Sequence, residues 1–105
     1  MSDIVTQDRD KGLSLTRQAA GLGDVMTQLN LGAELVESCE PAARAEGVAW
    51  LRAAADQGLH SAHYALALLY RDGKGGVPQN PEIAEHHLGM GKKLEEEWHR
   101  RAGLT

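Results

Sequence analysis

Phenylalanine is absent from this 105-residue chain, and two tryptophans and two tyrosines are all its aromatics. A β-sandwich core draws on Val, Ile, Tyr and Phe, so the shortage speaks against one. No stretch alternates apolar and polar residues with period two, and no strand is expected. Cys39 is the single cysteine. It excludes an intramolecular disulfide and fits a reducing compartment. No apolar run approaches the ~18 residues that span a membrane. The start, MSDIVTQDRDKG, has no apolar core behind a basic head and does not read as a secretory signal. A cytoplasmic protein is the expectation. Eleven Lys and Arg face fifteen Asp and Glu, a net charge of −4. Basic residues form no stripe beyond the pairs Lys92–Lys93 and Arg100–Arg101, so neither nucleic acid nor membrane is expected as partner. The acidic balance suits a basic protein partner.

Alanine and leucine supply most of the 42% apolar content, a composition suited to close helix–helix packing. A period of 35 residues runs through it. LTRQAAGLG at 15–23 lines up with WLRAAADQG at 50–58, placing Arg17 on Arg52, Ala19–Ala20 on Ala54–Ala55 and Gly23 on Gly58. The same offset puts Gly12 on Gly47, Leu31 on Leu66 and Leu35 on Tyr70. A period in this range marks stacked helical pairs. One domain is expected, with a small core and modest stability.

Residues 1–7 are polar and aperiodic, and fraying is expected there. A first helix reads from Asp8, with Leu15, Ala19 and Leu22 on its apolar side, Gly12 as a weak point within it, and Gly21 and Gly23 ending it. Asp24 is an N-cap for a second helix running to about Ser38, striped by Thr27, Leu31 and Leu35. Pro41 opens a third, to about Gln57, whose apolar face holds Val48, Leu51, Ala54 and Ala55 beside Trp50. A fourth covers roughly 60–72, with Ala62, Leu66, Leu69 and Tyr70 on one face. The connector DGKGGVPQNP follows. Asn80 then caps a fifth helix from Pro81 to about Ala102, striped by Ile83, His87, Leu88, Gly91, Leu94 and Trp98.

The stretch 58–88 carries Gly58, Ala62, Leu66, Tyr70, Gly73, Gly75, Val77 and Ala84 in an order that resembles the Sel-one-like repeat family, relatives of the tetratricopeptide repeats. Trp50–Leu51, Ala54–Ala55 and Gly58 match the second half of that pattern. Leu31–Gly32 and Leu35 match a degenerate first half, with ESCEPA at 37–42 in place of the glycine loop. Ala67 replaces the usual Gly, Asn80 stands where Asp is usual, and Gly76 is inserted before Val77. The resemblance, over about residues 8–91, implies an all-α αα-superhelix of five helices and about two and a half repeats. Units fall at 8–23 (a half unit), 24–58 and 59–91, within a single domain 8–102 that ends in a capping helix, 81–102. It also implies a non-catalytic protein-binding module. In size and acidity the chain is similar to short standalone bacterial members, including immunity proteins that neutralise a cognate toxin or effector.

The chemistry-bearing residues do not assemble into a reactive motif. His60 and His63 lie three apart on one helix, and His86–His87 on another, but no HExxH, CxxC or acidic cluster accompanies them. The expectation is no metal and no cofactor, with His87 packing at an aromatic position and His60, His63 and His86 facing solvent or a partner. Cys39 in a helix-end loop reads as an ordinary residue and not as a nucleophile. GKGG lacks the GxxxxGK[ST] spacing of a phosphate loop. Glu95–Glu97 reads as a solvated helix face. Trp50 and Tyr70 are expected between units. One protein partner is expected on the inner surface formed by the first helix of each pair. Its candidate contacts are the residues the packing stripes leave unclaimed: Gln28, Asn30 and Glu37 on the second helix, and His63, Leu68 and Arg71 on the fourth. A homodimer is a further reading, because so short a solenoid leaves its ends exposed.

Overall fold

The computed structural model describes residues 14–103. The expected fraying of 1–7, the helix start at Asp8 and the effect of Gly12 lie outside them. Five helices follow one another: α1 over 14–21, α2 Val25–Leu35, α3 Pro41–Asp56, α4 His60–Asp72 and α5 Pro81–Arg101. No strand occurs among the described residues. The punctuation follows the sequence. The Asp24 carboxylate accepts from the Thr27 amide, and the Asn80 side chain accepts from the Glu82 and Ile83 amides, so both satisfy orphan donors at a helix start. Gly73 ends α4 with φ 68°, a conformation that costs an L side chain but not glycine. α2 stops at Leu35, short of Ser38. Past Leu35 the chain tightens into turns, with the Glu37 amide donating to the Glu34 carbonyl and the Ser38 amide to the Leu35 carbonyl, and Glu40 before Pro41 is extended at φ −88°, ψ 126°.

α2 pairs with α3 and α4 with α5, and α4 lies across the first pair, touching both α3 and α2. The main core is the seam of that stack: Val48, Leu51, Ala54 and Ala55 of α3 meet Ala62, Leu66 and Leu69 of α4. A second cluster joins Ala20 of α1 to Leu31 and Leu35 of α2, with Trp50 and Ala43 against it. Leu31, Leu51 and Leu66 are the largest fully buried side chains. Each contributes roughly 2 kcal/mol by leaving water. The pairs close tightly where side chains are smallest. A Cβ on Gly32 would stand 2.8 Å from the Gly47 carbonyl oxygen, so α2 and α3 touch backbone to backbone there.

Several expectations are corrected. Leu15 and Leu22 are exposed, and α1 packs through Ala20 instead, because close approach to α2 selects the small residue. Leu88 and Trp98 of the α5 stripe are also exposed, since α4 covers only one side of that long helix. Glu95 is not merely solvated: it accepts from the Tyr64 hydroxyl at 2.6 Å, which pushes the Tyr64 pKa up. Tyr70 is buried as expected, whereas Trp50 is half-buried, donating at 3.0 Å to a Glu46 carboxylate that Arg17 also holds.

Candidate functional site

The inner face is built by α2 and α4 side by side. Because the apolar stripe of α2 packs on α1 and α3, and that of α4 on α3 and α2, the outer stripes of both helices are left to solvent among the described residues. Ala33 of α2, Val36 and Glu37 just after it, and Leu68 and Arg71 of α4 line a cleft of about 280 Å³ there, together with Asp72 and Lys74. Leu68 is 50% exposed in the middle of α4, with no described helix over it. Arg71 is held by its neighbour Asp72, Nε to Oδ1 at 3.1 Å, an exposed pair that raises the one pKa and lowers the other through that hydrogen bond. Three of the six expected contact residues, Glu37, Leu68 and Arg71, therefore share one cleft. Asn30 is exposed on α2 but outside its lining.

Gln28 and His63 are corrections. Gln28 is 5% exposed and His63 8%, so neither projects from the face. Gln28 donates to the Ala20 carbonyl at 2.9 Å and accepts from Gln57 at 2.8 Å. His63 stands one repeat further on, with the Ala55 backbone as its partner in place of Ala20. A buried polar side chain must be satisfied, and both are satisfied by the preceding helix. They tie unit to unit. His63 also meets His87, Nδ1 to Nδ1 at 3.0 Å, and His87 stacks against Tyr70, whose hydroxyl accepts from Arg52. Burial pushes both histidine pKa values down, and for His87 charge repulsion from His63 and from the Arg52 guanidinium pushes the same way. His60 is half-buried and His86 exposed. Among the described residues no group of three or more His, Cys, Asp or Glu is gathered as metal ligands. Cys39 is exposed.

A second cleft, about 330 Å³, lies under the glycine loop between Arg44, Arg52, Tyr70 and Gly75–Gly76. Sequence reasoning also missed a third, apolar one, about 280 Å³, between α4 and α5. Its signal was available: Ala84, His87, Leu88 and Gly91 stand in the second unit where Gly47, Trp50, Leu51 and Ala54 stand in the first.

Comparison with known proteins agrees with a stack of helical repeats. The Sel1 repeat model matches residues 2–24, 27–59 and 60–94. The chain belongs to the Sel1 repeat family. An F-box protein of Arabidopsis thaliana is 34% identical over 67 residues, covering 64% of this chain and 19% of the relative, so the chain spans about a fifth of that protein's length. No solved structure matches at a significant level. Sel1 repeats indicate a protein–protein interaction module. No helix among the described residues is long and apolar enough to cross a membrane.

Proposed function

We propose that this Sel1 repeat protein is a cytoplasmic regulatory or adaptor protein that grips one protein partner on the α2–α4 face through Glu37, Leu68 and Arg71, with Asn30 alongside. The observation that carries the reading is Leu68, half-exposed on a face otherwise bordered by charge. A central apolar anchor inside a polar rim is how interfaces concentrate their energy. Immunity against a toxin or effector is the narrower form of the same reading. The net charge of −4 supports it, since it favours a basic partner.

The test is co-purification from the native cell with mass spectrometry, repeated with Leu68→Glu and Glu37→Arg. Both should lower partner affinity at least tenfold, ~1.4 kcal/mol, with helicity and melting temperature near those of the unaltered chain. Normal binding by both, together with loss of binding on changing Trp98 or Arg101, would move the functional surface to the end of α5.

A further inference from the structure

The face that the first unit turns towards α4 has a counterpart in the second unit, and there no described helix covers it. In the first unit α4 lies over Leu29, Val36, Val48 and Leu51, and Leu51 is only 1% exposed. In the second unit Tyr64 and Arg71 take the places of Leu29 and Val36, and Glu85 and Leu88 those of Val48 and Leu51. Leu88 is 40% exposed. These residues, with Ala67 and Ala84 at the floor, line the groove of about 280 Å³ between α4 and α5. The floor keeps small residues at the same places: Ala67 and Ala84 are buried where Gly32 and Gly47 touch in the first unit. Arg71 and Glu85 replace two apolar residues at the margin, so the groove is an apolar trough between two opposite charges.

We propose that this groove receives an amphipathic helix of a partner chain, one carrying a small residue followed by leucines four and seven positions on, as α4 carries Ala62, Leu66 and Leu69. The argument is the repeat itself. The equivalent surface one unit earlier is filled by a helix with that pattern, packed ridge into groove. An exposed apolar trough with a polar margin takes a helix in the same manner. A second copy of this chain is the poorer occupant. Among the described residues, α4 is already buried against α2 and α3, and the stripe of α2 against α1 and α3, so a folded copy has no helix of this pattern to offer. The groove shares Leu68 and Arg71 with the inner cleft, but Leu88, Ala84 and Tyr64 line the groove and not the cleft, and Glu37 lines the cleft and not the groove.

The test uses the full chain and a helix-stapled peptide with the α4 sequence HSAHYALALLYRD, followed by heteronuclear NMR. Saturable shifts are expected at Tyr64, Ala84 and Leu88. Leu88→Glu in the chain, and Leu66→Glu in the peptide, should each weaken binding at least tenfold, while the helical circular dichroism of the Leu88→Glu chain is unchanged. Absence of binding at millimolar peptide would overturn the proposal. So would shifts centred on α1 and α2, or a wild-type self-association that Leu88→Glu abolishes. The inner-face reading is told apart by its Glu37→Arg variant, since Glu37 lies outside the groove whereas Leu68 lines both clefts.

Discussion

His63 shows how one position can carry different side chains for one structural purpose. Gln28 and His63 are equivalent by the repeat, both buried, both tied to the backbone of an alanine on the preceding helix. The difference is titration. Burial lowers the His63 and His87 pKa values below the ordinary 6.5, so near pH 6 the unfolded chain binds more protons than the folded one. Stability is therefore complete above the ordinary value and is lost as pH falls through the lower folded values. Two protonated rings could not keep the Nδ1–Nδ1 contact, because both would be donors. The melting temperature should fall as pH drops from about 8 to about 5, and His63→Gln should roughly halve that slope, one of the two groups being removed. An unchanged slope in a thermal melt series would show that the pair does not govern the titration. The sequence offered this position as a partner contact. It could not show that the preceding helix already satisfies the imidazole, because that requires Ala55 to be brought beside His63.

At the level of the helix, caps and breaks were legible and face assignment was partly so. Asp24, Pro41, Gly73 and Asn80 act through bonds within a few residues, so local sequence suffices to find them. The burial of α1 through Ala20 and the exposure of Leu15 and Leu22 depend on how closely α2 approaches, which no local pattern states. Helix glycines separate the two kinds of information. Gly32 and Gly89 both sit mid-helix, and replacing either by Ala should gain up to ~1 kcal/mol of propensity. Gly89 has nothing within 4 Å of a built Cβ, so Gly89→Ala should stabilise. Gly32→Ala would push its methyl to 2.8 Å from the Gly47 carbonyl oxygen and the Leu51 side chain. The overpacking, ~1–3 kcal/mol, outweighs the propensity gain, so this variant should be the less stable of the two in urea denaturation. Equal stability of the two would mean that α2 and α3 can separate without cost.

The whole molecule is a stack, longer than it is thick, at 54 × 32 × 18 Å. Its radius of gyration of 15.4 Å exceeds the ~13 Å of a compact chain of this length. Stability in such a stack is shared between the helical pairs and the seams that join them. Leu66 lies at the centre of the seam between the two pairs, fully buried. Leu66→Ala should cost ~2–5 kcal/mol and lower the urea midpoint of a single transition. Two separate transitions would show that the pairs fold independently. The 3.6-residue stripes, the caps and the 35-residue period are all written along the chain, which is why the helices, their order and the repeat class follow from sequence alone. What lies open follows from the stack. Leu51 and Leu88 occupy the same place in their units, but one is covered by α4 and the other by no described helix. Burial of a repeat position depends on its spatial neighbour, and only the assembled tertiary structure supplies or withholds one.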